Sequence, residues 1–493
     1  MGFHSPVFLI GFLPACLLIA LLAGRRYQKW VLLAASVFFY AWADWRYLPL
    51  MAVLIVITFF LALFVQRQRT ADEDQTAAAQ SSRARARWAL LAAVGLNLGA
   101  LVFFKLLVSY GADWLPFVRP ESEGWPAYGL LPLGLSYISF QLISYIVDVH
   151  NEIVDSEPNF WKFAAYALFF PKVVVGPITR YRDMEKELEN PSTSPAQIAE
   201  GARRFVLGLG KKVLIADTLA RLVDPAFALS APQFSTGMAW LVVIAFAVQL
   251  YFDFSGYVDM AIGLGQMLGL RLPENFNYPY ISRSIGEFWR RWHITLSAWF
   301  RDYVFYPLEF TRRREDRLRQ QLHALVIFLL TGLWHGLTIN FALWGLIHGA
   351  AVAVESRGFA RKLKKAPVPL QHIYTLLIVT LGWVFFRSPT PAYALSLLGR
   401  MAGFSSASGA SLAESMTLAA VDAWVWAALL AGIIFSLPVI PAFRKRWWSG
   451  AAEQPRPART WRIAADFALF MLLLASFAVL AQYAFIPAIY SGF

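Results

Sequence analysis

Cysteine is almost missing from this chain: Cys16 is the only one in 493 residues, so neither a disulfide nor a cysteine-based metal site can form within it. Charge is scarce as well. Asp, Glu, Lys and Arg make up 15% of the sequence, where soluble globular domains carry roughly a quarter, and acidic residues are the scarcer sign, 31 against 44 basic. No polar half and no repeat of solenoid period interrupts the pattern. His335 and His348 stand thirteen apart with no carboxylate set at ligand spacing, so no metal is expected.

What fills the chain instead is apolar. It is 58% hydrophobic and 16% aromatic with a mean hydropathy of +0.51, more apolar surface than a water-soluble core can hide. The expectation is an all-α, polytopic transmembrane protein with the lipid bilayer as its surroundings. The net charge of +13 sits in short Lys/Arg clusters between apolar runs, which reads as a topology signal and not as a nucleic-acid footprint. Val7 to Ala23 has the length of a signal-peptide core, yet no Lys or Arg precedes it and Arg25, Arg26 and Lys29 follow it. That order is the reverse of the secretory one, so the segment is expected to stay as a first spanning helix, with Cys16 a packing or lipid-facing residue.

A bilayer core needs roughly 20 mainly apolar residues per helix. Stretches of suitable length without charge run over Tyr47–Val65, Trp88–Phe104, Gly124–Val147, Ala366–Phe386, Ala423–Phe443 and Phe467–Phe493, with Trp30–Ala43, Gly237–Phe252 and Tyr257–Leu270 less clean. Ten to thirteen spans are expected. The basic clusters at Arg25–Lys29, Arg67–Arg87, Arg180–Lys212, Arg312–Arg319, Arg357–Lys365 and Arg444–Arg446 share one side if the N-terminus and C-terminus are outside, and Asp113, Glu121 and Glu123 fall on the other. Residues 66–87 read as a partly disordered linker and 403–418 as a second flexible connection. Phe160–Pro177 is apolar but holds Pro171, Lys172 and a Gly176-Pro177 pair; proline cannot continue a regular helix, so a re-entrant or interfacial segment shielded by protein is expected there.

Polar residues inside membrane-depth sequence are costly and mark function. Ala324–Val354 has no Asp, Glu, Lys or Arg but holds His335, Asn340 and His348. At about 1.5 Å per residue these 31 residues reach about 46 Å, short of the roughly 60 Å that two crossings of the bilayer core need, so a turn at Trp334-His335-Gly336 falls within the membrane's thickness. A histidine buried there stays neutral and can take a proton from a hydroxyl attacking an acyl carbonyl; a hydrogen-bonded packing role is the other reading. His348 reads as structural. The stretch from Glu274 to Tyr303 is rich in Trp, Tyr and Arg, as interfacial segments are, yet it also holds His293 and Asp302, and such a basic aromatic lining suits an anionic, carrier-linked acyl donor. Ser255, between Asp253 and Asp259, lacks the nucleophile-elbow pattern; the two aspartates are expected to pair with Arg residues.

Taken in order, Pro132-Leu-Gly-Leu-Ser-Tyr137, Phe170-Pro171 with Gly176-Pro177 and Arg180-Tyr181, Tyr251 to Asp259, Pro273 to Tyr280, Phe288 to Tyr303, and Leu333-Trp-His-Gly336 resemble the membrane-bound O-acyltransferase family, in its bacterial branch of alginate and related polysaccharide O-acetyltransferases. The resemblance implies helices around a central tunnel in the bacterial inner membrane, a cytoplasmic thioester donor such as acetyl-CoA or an acyl carrier thioester, no bound cofactor, and an extracytoplasmic polysaccharide acceptor or acyltransferase partner. His335 and His293 match the family's histidines: His335 would deprotonate the acceptor hydroxyl, with His293 and Asn340 positioning groups nearby. Trp334, Asn340, Trp292, Arg290, Arg291, Asp302 and Tyr303 are the candidate substrate-binding side chains. Within one polytopic domain, 1–127 would be N-terminal spanning helices, 128–355 the catalytic core and 356–493 C-terminal spanning helices. After Pro307-Leu308 the chain departs from the family's Gly-Gly-rich continuation with Glu309-Phe-Thr-Arg-Arg-Arg-Glu. Rival readings are D-alanyl transfer to a cell-wall polymer or peptidoglycan O-acetylation within the family, and a lipid-linked sugar flippase or a non-catalytic export scaffold outside it.

Overall fold

A computed structural model describes residues 2–70, 77–114, 131–189, 191, 193–229, 234–310, 317–404, 421–439, 459–482, 486 and 489. Among these the chain is helical, with no strand. In chain order the main helices are α1 (Leu13–Asp44), α2 (Leu48–Thr70), α3 (Ala77–Trp114), α4 (Leu135–His150), α5 (Phe160–Leu168), α6 (Tyr181–Glu189), α7 (Pro195–Gly210), α8 (Asp217–Ala228), α9 (Thr236–Met267), α10 (Ile285–Arg291), α11 (Ile294–Phe300), α12 (Arg317–His335), α13 (Ile339–Val354), α14 (Val368–Arg387), α15 (Pro391–Met401), α16 (Ala423–Phe435) and α17 (Arg459–Gln482). Contacts divide them into two compact units, one built from Met1–Phe205 with Val258–Pro273, the other from Val206–Tyr257 with Glu274–Ile489.

The chain is a polytopic membrane protein. Seven described stretches are long and apolar enough to cross a bilayer: Val7–Gly24, Arg26–Thr70, Gln80–Gly111, Thr236–Met267, Ile339–Leu363, Val368–Arg387 and Ile463–Gln482. The second of these holds two helices, because Asp44 is extended (φ −162°, ψ 92°) and caps the turn that follows with its side chain. These stretches are counted over the described residues, against ten to thirteen spans expected for the whole chain, and among the described residues other candidates fall short for local reasons. α4 has 16 residues and α16 has 13, about 24 and 20 Å of helix, while α12 opens on the polar run Arg317-Leu-Arg-Gln-Gln321.

The structure differs from two of the sequence expectations. Gly237–Phe252 and Tyr257–Leu270 are not separate spans but parts of one 32-residue helix, α9. Its two aspartates do not end it because each is neutralised. In the second unit Asp253 lies 2.7 Å from Lys212, which also meets Asp217 at 2.5 Å; in the first, Asp259 lies 2.9 Å from Arg204. The expected arginine partner is thus found for Asp259, whereas Asp253 takes a lysine. Burial works against the charge of Lys212, but Asp253 and Asp217 outweigh it and hold its pKa above the ordinary lysine value. The second correction concerns 66–87, read as a linker: 66–70 close α2 and 77–87 open α3, with 71–76 outside the described residues. The 405–418 part of the other flexible connection lies outside them too, as do Glu121, Glu123 and the Arg444–Arg446 cluster.

In the first unit, Asn97 of α3 donates to Thr58 of α2 at 3.1 Å, a polar tie of the kind that joins helices where lipid supplies no hydrophobic drive. The Phe160–Pro177 segment does break. α5 ends at Phe169 (φ −48°, ψ 105°) and a four-residue helix, Phe170–Val173, restarts with Pro171 in its first turn, where the missing N–H is not needed. Lys172 is fully buried there, its ammonium 3.7 Å from the centre of the Tyr166 ring.

In the second unit, α12 and α13 form a tight hairpin whose turn is at residues 336–338. Glycine makes the approach possible. A side-chain carbon on Gly332 would strike the Phe341 carbonyl, and one on Gly345 the Phe328 carbonyl; Gly345 and Gly349 form a small-xxx-small stripe on α13 that faces α12. Gly345→Val is therefore expected to force the two helices apart and to cost on the order of 1–3 kcal/mol. Thermal unfolding in detergent should show a lower midpoint; an unchanged midpoint would mean that the hairpin is looser than this packing.

Candidate active site

The candidate site lies within the second unit. His335 is the last residue of α12, 3% exposed. Its imidazole is ringed by aromatic side chains: Trp334 at 4.9 Å between ring centres, Trp344 at 5.2 Å and nearly perpendicular, Phe386 of α14 at 5.3 Å, and Phe341 stacked at 6.3 Å. The last contact needs Gly336, because any side-chain carbon at that position would run into the Phe341 ring. The hairpin therefore delivers an imidazole into an apolar cage at the point where the chain reverses. Asn340, in the first turn of α13, donates to the Ser388 carbonyl that follows α14, which ties the hairpin to the helix carrying Phe386.

His293 is held by a different device. It lies between α10 and α11 in the left-handed region (φ 44°, ψ 55°), a conformation that a non-glycine residue keeps only when its surroundings over-determine it. Those surroundings are Asn275. Its backbone carbonyl accepts from Ile294 N–H at 3.0 Å, and its side-chain Oδ1 accepts from Thr295 N–H at 2.9 Å and from the Thr295 hydroxyl at 2.9 Å, with His293 Nδ1 at 3.3 Å. A backbone N–H can only donate, so the atom facing the turn is Oδ1, and the His293 nitrogen that meets it carries the proton. Nε2 is then the basic nitrogen. Burial pushes the His293 pKa down to about 3, so the ring is neutral at physiological pH. The ring of Phe254 meets it edge-on at 4.8 Å and Trp334 lies at 6.1 Å.

Trp334 is thus the element that brings the two candidate histidines together, since its ring touches both. Trp292 is buried in the wall beside them, stacked on Phe288 at 5.6 Å and 5.0 Å from Trp383. The charged candidates sit differently. Arg290 is exposed on α10, and Arg291 is held by Glu287 at 2.9 Å and by the Asn277 carbonyl at 3.0 Å. Asp302 lies 2.8 Å from Arg301, in the helical turn after α11, where Tyr303 rests against Trp299 at 5.4 Å. His348, read as structural, is fully buried and accepts from the Trp289 indole N–H at 3.3 Å.

Several residues of this cluster had no local signal in the sequence. Asn275 lies 18 residues before the histidine it holds, and Trp344 and Phe386 look like ordinary helix residues. Only the density of aromatic residues from 274 to 303 pointed to the wall.

Comparison with known proteins gives this arrangement a relationship. Residues 35–386 match the family model of membrane-bound O-acyltransferases. The chain is 40% identical over 407 residues to a probable alginate O-acetylase of Pseudomonas aeruginosa, covering 82% of this chain and 75% of that protein. It is 32% identical to a peptidoglycan O-acetyltransferase of Helicobacter pylori, covering 82% and 80%, and 28% identical to a teichoic acid D-alanyltransferase of Bacillus subtilis, covering 58% and 74%.

Proposed function

The chain belongs to the membrane-bound O-acyltransferase family, and from that premise we propose that this membrane O-acyltransferase moves an acetyl group from a cytoplasmic thioester to a hydroxyl of an extracytoplasmic polysaccharide, directly or through a partner protein, with His335 as general base. The observation that carries the reading is the His335 ring, enclosed by Trp334, Trp344, Phe386 and Phe341 at the reversal of the hairpin. An apolar surround keeps imidazole unprotonated, and neutral imidazole can take the hydroxyl proton as the oxygen attacks the thioester carbonyl. The new C–O bond forms as the C–S bond breaks, and the proton passes from His335 to the leaving thiolate. His293, its proton held on Nδ1 by Asn275, offers Nε2 as a second acceptor at the same Trp334 ring. Acetyl-CoA and an acyl carrier thioester both fit a donor side rich in arginine and aromatic residues, and no bound cofactor is required by this chemistry.

Acetylation of an alginate-like polymer is favoured over D-alanyl transfer because the alginate relatives are similar over more of this chain and at higher identity. The proposed setting is the bacterial inner membrane with both termini outside, which puts the Lys/Arg clusters in the cytoplasm. Proteoliposomes of the full chain, with labelled acetyl thioester on the side of those clusters and polymer on the other, are expected to place label on the polymer. Label transferred only when a D-alanyl carrier thioester replaces the acetyl donor would reassign the substrate, and no transfer from either would sink the reading.

A further inference from the structure

Glu355 follows α13 and is 7% exposed. Its carboxylate accepts two backbone N–H groups, from Ile285 at 2.6 Å and from Gly286 at 2.9 Å. Ile285 and Gly286 open α10, the short helix that leads to His293. The other polar tie between α10 and α13 is four residues further along, where the Trp289 indole N–H donates to His348 Nδ1. Around these two bonds the interface is ring against ring: Trp289 on Trp344 at 5.7 Å and Phe288 on His348 at 6.3 Å. The pairings 285 with 355 and 289 with 348 mean that α10 runs antiparallel to α13, from Glu355 toward the hairpin turn.

Ring contacts resist separation but do little to fix sliding, because burial is non-directional. Hydrogen bonds to a carboxylate are directional and strong. We propose that Glu355 is a positioning residue: by holding the Ile285 and Gly286 amides it fixes how far α10 reaches along α13, and so where His293 stands relative to Trp334 and His335. This rests on the reading of His335 and His293 as the reacting pair. A displacement of the order of 1 Å at a reacting group costs up to about a hundredfold in rate, and two ties seven residues apart, at His348 of α13 and at Glu355 just after it, leave α10 little freedom to pivot.

The test uses the full chain in membranes, with Glu355→Ala, Glu355→Gln, His335→Ala and His293→Ala measured side by side per folded protein. Glu355→Ala is expected to lower kcat about tenfold while KM for the acetyl thioester stays within twofold. Glu355→Gln is expected to fall between it and the native enzyme, because the amide oxygen still accepts one N–H. Native kcat in Glu355→Ala, or a raised KM with unchanged kcat, would overturn the proposal. Should Glu355→Ala fail to accumulate, the same criterion applied to Glu355→Gln decides. Full activity in both histidine variants would overturn the proposal by removing the function it rests on; inactive histidine variants beside fully active Glu355 variants would overturn the positioning role alone.

Discussion

Replacing His335 by alanine is expected to lower acyl transfer by about a thousandfold while the protein still reaches the membrane. General acid–base catalysis accounts for roughly 10² to 10⁴ in rate, and none of the rings packed on His335, those of Trp334, Trp344, Phe386 and Phe341, can act as a base in its place. Folding should suffer less, because those four rings keep their contacts with one another and with α14, Phe341 against Phe386 at 5.1 Å and Trp344 against Trp383 at 6.2 Å. His335→Gln is the stricter control, since it restores hydrogen-bonding atoms and much of the volume without a base of useful strength. The measurement is labelled acetyl appearing on polymer, normalised to protein recovered in folded form from detergent. A flippase or an export scaffold using the same fold would keep flux or assembly in both variants. Retained acetylation in His335→Gln would remove His335 from the mechanism.

The hairpin that this prediction depends on was legible in the sequence because its signal is local. A charge-free run too short for two crossings, with a histidine and glycine at its middle, dictates a turn near 335, and α12 ends at His335. The membrane class was legible from composition for the same reason, since every span states itself within about 20 residues. What stayed hidden depends on partners far away in sequence. The continuity of α9 through Asp253 and Asp259 rests on Lys212 and Arg204, which no local pattern joins to them. Asn275 lay within the Pro273–Tyr280 stretch with no local mark of its role, although its one side-chain oxygen organises the whole 293–295 turn.

Asn275 is also where the second large effect is expected. Asn275→Ala removes the acceptor shared by Thr295 N–H, the Thr295 hydroxyl and His293 Nδ1, leaving buried donors unpaired at a cost of about 1–3 kcal/mol each. It also removes what holds His293 at φ 44°, so the ring should leave Trp334 and activity should fall by up to about a hundredfold. Asn275→Asp separates geometry from charge, because it keeps the oxygen acceptor and adds a negative charge 3.3 Å from Nδ1. In the native protein burial holds the His293 pKa down at about 3, below the roughly 6.5 of an unfolded histidine. The unfolded chain therefore binds the proton first on acidification; the stability tied to keeping this ring neutral is complete above about pH 6.5 and is lost as the pH falls toward 3. A carboxylate beside Nδ1 favours the imidazolium and raises the folded pKa by about 1–3 units. The acid limb of the kcat profile should then move upward, with Asn275→Asp losing activity near pH 5.5 that it regains near pH 8, while the native enzyme shows no limb from this group in that range. Identical pH profiles for the two proteins would show that the protonation state of His293 does not enter the rate, and would leave His293 as a packing residue of the Trp334 wall.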